Sequence, residues 1–156
     1  MTDTTLTIEN ILAPELTLCQ VPASSKKRVM EIIAEQIQHR EESLNDTQIF
    51  NNLVSRERLG STGIGQGIAI PHCRLEGLDH VVGVLMTLAE GVGFDAIDNQ
   101  PVDLIFALVV PKAATSEHLE LLSQIAEKFN DRAFCDHLRQ CKDGETLYRQ
   151  MLAESH

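Results

Sequence analysis

Between Arg56 and His72 the chain gathers a fixed positive charge, two hydroxyls, four glycines and a histidine within seventeen residues. Glycines let a backbone turn its N–H groups toward an anion. Ser61 and Thr62 add hydroxyl donors, and Arg56 adds a planar cation. With Gly63 and Gly65 as backbone donors, these are the parts of an oxyanion or phosphoryl cradle. It is not a nucleotide loop of either common kind. Gly60 and Gly65 have the Walker spacing, but Gln66 stands where lysine is required. Gly63-Ile64-Gly65 would need glycine or alanine at position 68, which is Ile68. The same glycines also suit an ordinary tight connection. His72 follows Pro71 at the end of a short apolar strand, where a side chain is held rather than loose. An imidazole is both substantially neutral and nucleophilic near neutral pH, so His72 can accept a phosphoryl group and pass it on. A proline that simply ends the strand is the structural alternative.

His118 is the second histidine of interest. It falls in the first turn of an expected helix and shares a face with Leu122, Ile125 and Phe129. That face would point it inward at the helix end that favours anions. A satisfied, partly buried histidine fits the same pattern. His39, His80, His137 and His156 sit in polar contexts and read as surface residues. His72, Cys73 and His118 are metal-ligand types, but adjacent residues seldom reach one ion, and no paired spacing such as HExxH occurs. We therefore expect no metal. A hydrolase with His72 as base and Asp95 or Asp98 as its orienter lacks any nucleophile-elbow signature.

The elements that must position these residues follow from periodicity. Val29, Met30, Ile33 and Ile37 predict a helix over 24–40, capped by Ser24 or Ser25, with Lys26, Lys27 and Arg28 as solvated residues of its first turn. A second helix spans Asp46 to Leu59, capped by Asn45 or Asp46 and stopped by Gly60. Ile68-Ala69-Ile70 is a short strand. Val81 to Leu88 and Val102 to Val110 are apolar on both faces, as central strands covered on both sides are. The segment Phe94 to Gln100 between them is a loop. Thr115 or Ser116 caps a helix to Phe129 with Leu119, Leu122, Ile125 and Ala126 inward. Asp131 caps another through Phe134 and Leu138, and a last helix begins near Asp143 and buries Leu147, Tyr148, Met151 and Leu152. Helices on both sides of a few strands predict a single layered α/β domain with a small sheet.

Composition narrows the function. The 156 residues carry 13 Lys+Arg against 23 Asp+Glu, a formal charge of −10 with no basic face for a phosphate backbone. Nucleic acid and anionic membranes are thereby disfavoured as partners. The longest apolar run, Leu104 to Val110, is seven residues, too short to span a bilayer. The N-terminus lacks a secretory pattern, so Cys19, Cys73, Cys135 and Cys141 are expected to be reduced thiols of a cytoplasmic protein.

The run from Arg56 through Gly60-Ser61-Thr62-Gly63-Ile64-Gly65-Gln66-Gly67 to Ile70-Pro71-His72 resembles the active-site signature of IIA proteins of the bacterial phosphoenolpyruvate-dependent phosphotransferase system, mannitol/fructose type. The likeness extends from about Ile8 to Leu152. Phe94-Asp95-Ala96-Ile97-Asp98-Asn99-Gln100-Pro101 is similar to the nitrogen-regulatory branch of that family. The resemblance implies a small mixed sheet flanked by helices. It also implies that His72 takes a phosphoryl group, on Nε2, from a phosphorylated HPr-like carrier. Arg56, Ser61, Thr62 and His118 match family active-site positions, and no cofactor is implied. Phosphorylation would then control binding to regulatory targets such as potassium-transport components or sensor kinases. Two other outcomes are compatible with the residues: a sugar-specific IIA that passes phosphate to a separate IIB, and an interaction module that works without phosphorylation.

Overall fold

The computed structural model describes residues 7–113 and 117–153. The two apolar runs pair with each other. Strands β5 (Val82–Val92) and β6 (Val102–Pro111) form the antiparallel centre of a six-stranded mixed sheet. β1 (Thr17–Val21) lies parallel to β5 at one edge. On the other side β3 (Ile68–Ala69) and β4 (His72–Leu75) both run parallel to β6, and β2 (Gly63–Gly65) turns back on β3.

Strand alternation explains why neither central run reads as alternating. Along β6, Ile105, Ala107 and Val109 face one apolar cluster, while Leu104, Phe106, Leu108 and Val110 face a second. Helices α2 (Lys26–Arg40) and α3 (Asp46–Leu59) cover the first face. The second is covered by α1 (Ile8–Ile11), α4 (Glu117–Phe129), α5 (Arg132–Gln140) and α6 (Gly144–Leu152). This is the layered α/β class expected, with a mixed sheet and helices on both faces.

Caps fix the helix starts. Ser25, Asn45, Asp131 and Asp143 each accept a backbone N–H three residues on. Of the alternatives left open, Ser25 rather than Ser24 and Asn45 rather than Asp46 take this role. The expected cap at Thr115 or Ser116 lies outside the described residues. Gly60 does end α3, but in extended rather than left-handed backbone (φ 160°), with open space where a Cβ would stand.

Three readings change. Leu119 is 58% exposed, and Leu121 is fully buried in its place, because the buried stripe of α4 runs through His118, Leu121, Ile125 and Phe129. His72 opens a strand instead of following the end of one: β3 and β4 keep a single register along β6, with Ile68 opposite Leu104 and His72 opposite Leu108. Lys26 is not a solvated residue; its Nζ lies 2.7 Å from the Glu57 carboxylate and over the Phe94 ring.

Candidate functional site

The site forms where β4 meets the C-terminal end of α3 and the start of α4. Cys73 and Leu75 point into the first core, so His72 and Arg74 project from the opposite face of β4, toward the side that α4 covers. Pro71 interrupts the strand, but its carbonyl still accepts the Leu108 N–H at 2.9 Å, which keeps β4 aligned on the sheet. α3 delivers Asn52, Ser55, Arg56 and Leu59 on adjoining turns. The first turn of α4 delivers His118. These residues, with His72, line a cavity of about 360 Å³.

His72 has its tautomer fixed by the fold. Its Nδ1 lies 2.8 Å from the Ile70 carbonyl oxygen. A carbonyl only accepts, so Nδ1 carries the proton and the lone pair of the neutral ring sits on Nε2. Burial holds the His72 pKa below its ordinary 6.5. The Ile70 hydrogen bond pulls it up, the Arg56 charge pushes it down, Glu57 pulls up and His118 pushes down. The ring is therefore neutral at neutral pH, which is the nucleophilic form.

His118 is only 8% exposed, and its Nδ1 is buried with no hydrogen-bond partner among the described residues. Leaving such an atom unpaired costs roughly 1–3 kcal/mol. Arg56 donates from Nη1 to the Gly60 carbonyl at 2.8 Å, closing the end of α3 while its other N–H groups are left to the cavity it lines. An anion placed at His72 would share its cavity with the Arg56 guanidinium and the His118 ring. Exposed Leu59 lies on its rim, and exposed Leu119 follows His118.

Ser61, Thr62, Gly63 and Gly65 are not among the residues lining this cavity. Ser61 Oγ donates to the Phe94 carbonyl at 2.6 Å and accepts the Gly63 N–H at 3.0 Å. Thr62 is buried, its N–H and hydroxyl both donating to the Glu57 carboxylate. A Cβ on Gly63 would lie 2.8 Å from Ala96, and Gly65 turns with φ +98° beside Asp98. Here the glycines let two loops pack closely, as a tight connection does.

Asp98 accepts the Gln66 and Gln100 N–H groups, and Asp95 lies near Lys26. The orienter of His72 is thus a backbone carbonyl rather than either aspartate. Cys73 faces away from His72, and burial pushes its thiol up to about 12. Among the described residues, no group of three or more His, Cys, Asp or Glu side chains is gathered as metal ligands would be.

Sequence reasoning missed Glu57 and Lys26. Glu57 lies next to Arg56 in a charged run of a helix that otherwise faces water. Its contacts with Thr62, five residues on around the turn, and with Lys26 from α2 make it a buried carboxylate with 7% side-chain exposure.

The family described as "Phosphoenolpyruvate-dependent sugar phosphotransferase system, EIIA 2" matches residues 10–154. The chain is 49% identical over 142 residues to a nitrogen regulatory protein of Pseudomonas aeruginosa, covering 91% of this chain and 92% of that one. The crystal structure of nitrogen regulatory protein IIA-Ntr from Neisseria meningitidis superposes with a TM-score of 0.87 at 41% identity, over 92% of this chain and 98% of that one. The mannitol IIA of Escherichia coli shares the fold at a TM-score of 0.72 and 17% identity, over 89% and 97% of the two chains. The chain belongs to the EIIA 2 family of the phosphotransferase system. Within that family its likeness is far greater to nitrogen regulatory proteins than to the mannitol protein. No helix among the described residues is long and apolar enough to cross a membrane.

Proposed function

We propose that the chain is a phosphocarrier whose phosphorylation state regulates partner proteins, with His72 as the residue that carries the group. The observation behind this is the Nδ1–H hydrogen bond to Ile70, which leaves the Nε2 lone pair as the nucleophile in a cavity shared with Arg56 and His118. The donor is a phosphorylated HPr-like protein. Nε2 attacks its phosphorus, the new P–N bond forms as the donor's P–N bond breaks, and the donor imidazole leaves with that electron pair. The His72 ring becomes cationic as it takes the phosphoryl group, and the Ile70 carbonyl and the Glu57 charge favour that cation.

Arg56 and His118 meet the phosphoryl oxygens, where donors fixed in advance stabilise developing charge. Exposed Leu59 and Leu119 give the donor an apolar surface that excludes water during transfer. Ser61, Thr62, Gly63 and Gly65 act by holding the turn rather than by touching the group. The phosphoryl group adds about −1.5 to −2 charge to the face that partners read. The relatives' names, nitrogen regulatory proteins, favour a regulatory role over sugar uptake; potassium-transport components and sensor kinases are the targets that the family resemblance implies.

The test is intact-protein mass after incubation with phosphoenolpyruvate and the upstream carriers. Wild type should gain one acid-labile phosphoryl mass, His72→Ala none, and His118→Ala should gain it slowly. No gain in the wild type, with the same donor active on a known IIA protein, would overturn the reading. Transfer onward to a sugar-specific IIB would replace the regulatory role with transport.

A further inference from the structure

Away from His72, the thiol of one free cysteine meets the backbone of another across the fold. Cys19 lies on the edge strand β1, and Cys141 caps the C-terminal end of α5. The Cys19 thiol reaches the Cys141 carbonyl at 2.8 Å, across 122 positions of sequence. We propose that Cys19 and Cys141 are an oxidisable dithiol pair, closing to an intramolecular disulfide when the Cys19 sulfur is oxidised by hydrogen peroxide.

The local backbone is shaped for this meeting. β1 pairs with β5 in register at Thr17 and Leu18, then shifts before Val21, and Gln20 adopts φ +52°. That irregularity lets Leu18 and Val21 both pack on the α2–α3 side, while Cys19 joins the α4–α6 side. The start of α6 is pressed onto the same strand. A Cβ on Gly144 would stand 2.5 Å from the Thr17 carbonyl oxygen, so the segment from Cys141 to Gly144 approaches β1 as only glycine allows.

The two thiols are suited to different roles. Cys19 is partly exposed, so an oxidant can reach it. The Thr87 hydroxyl accepts the Gln20 N–H at 2.8 Å and donates toward the Cys19 sulfur at 3.7 Å, which holds that sulfur in place. Cys141 is buried, and burial pushes its pKa up, with Cys19 and Asp143 adding to the shift. Its Sγ donates to the His137 carbonyl at 3.4 Å, a bond it gives up as it turns to the Cys19 sulfur. The Cys19 thiol loses its proton to solvent and the sulfur attacks a peroxide oxygen; the S–O bond forms as the O–O bond breaks, giving a sulfenic acid and releasing hydroxide, which takes up a proton to become water. The Cys141 sulfur then attacks the sulfenic sulfur. The S–S bond forms as the S–O bond breaks, and the departing hydroxyl leaves as water with the Cys141 proton. Each disulfide consumes one peroxide. Cys73 and Cys135 are buried away from this contact, and burial raises both thiols, so neither competes.

The experiment treats the full chain with hydrogen peroxide, blocks remaining thiols under denaturing conditions and maps the peptides without reduction. The expected result is a loss of about 2 Da, two of the four thiols blocked and a linked pair of peptides carrying Cys19 and Cys141, reversed by dithiothreitol. In Cys141→Ser, Cys19 should stop as a sulfenic acid that dimedone captures. Cys19→Ser should leave Cys141 unmodified, and Cys73→Ser and Cys135→Ser should form the bond as wild type does. Four thiols still reactive in the treated wild type, a covalent dimer without the internal link, or a link to Cys73 or Cys135 would each overturn the pairing. The wild-type map alone decides the question if a serine variant fails to fold.

Discussion

Around His72 the structure leaves hydrogen-bonding capacity open, whereas in the turn just before it that capacity is closed. Beside the cavity, the buried His118 Nδ1 has no partner among the described residues, and the His72 lone pair is turned to Nε2 by the bond at Nδ1. In the turn, Ser61 closes on Phe94, Thr62 on Glu57 and Asp98 on Gln66. Both regions carry hydroxyls, amides and charges. The difference lies in whether the hydrogen bonds of these groups are already made, not in the residue types. Groups whose hydrogen bonds are already made add rigidity, and groups left unmet are available for chemistry.

The sharpest way to break this comparison is to exchange the roles. His72→Gln keeps a polar side chain at the same place and should abolish acid-labile phosphorylation altogether in the mass assay. Arg56→Ala removes the fixed charge and should slow transfer by about 10²–10³-fold, the usual loss for one preorganised donor to a developing anion. Rapid-quench kinetics with the phosphorylated donor would read it. A loss equally large in Ser61→Ala would erase the distinction between cavity and turn.

His118→Leu tests the cost of an open site. Transfer should slow by about 10²-fold. Stability in urea should hold or rise by about 1 kcal/mol, because a buried unpaired nitrogen is replaced by apolar atoms. A stability loss above that size would mean His118 is an ordinary core residue with a satisfied ring.

Glu57→Ala should do the reverse. It strips the partner from Thr62 and from Lys26, whose side chain is 23% exposed, and should cost about 2 kcal/mol in chemical denaturation. Transfer should change less than tenfold.

The smallest effect is in the titration of His72. Nitrogen-15 resonances of the ring should show the Nδ1–H tautomer and a midpoint below 6.5, moving up in Arg56→Ala because that charge holds it down. Since the folded pKa is depressed, the unfolded chain binds the extra proton first as pH falls. The contribution of His72 to stability is therefore level above about 6.5, falls as pH drops from there to the folded pKa, and is level again below it.

Much of this molecule can be read without coordinates. The central strands announce themselves by apolar runs, the second lying between Pro101 and Pro111, and most helices by caps at Ser25, Asn45, Asp131 and Asp143. These signals are local, so periodicity and capping chemistry report them faithfully. β1 is not among them: five residues with an irregular register present no alternation, and pairing with β5 alone defines the strand. His72 and His118 were candidates from residue type and position, and the motif from Arg56 to His72 resembles one family closely enough to name it.

What tertiary structure decided is which of those residues meet. His72 and His118 are brought to one cavity by the parallel pairing of β4 with β6 and by the packing of α4 across that sheet. Ser61 and Thr62, nearer to His72 in sequence, are drawn to Phe94 and to a glutamate on the preceding helix. Lys26 reaches that glutamate from α2, and Cys19 reaches Cys141 across 122 residues. The sequence determined the chemical inventory and the periodic elements because both are properties of neighbouring residues. The distribution of hydrogen bonds among distant groups belongs to the packed fold, where burial makes an unpaired group costly and a paired one inert.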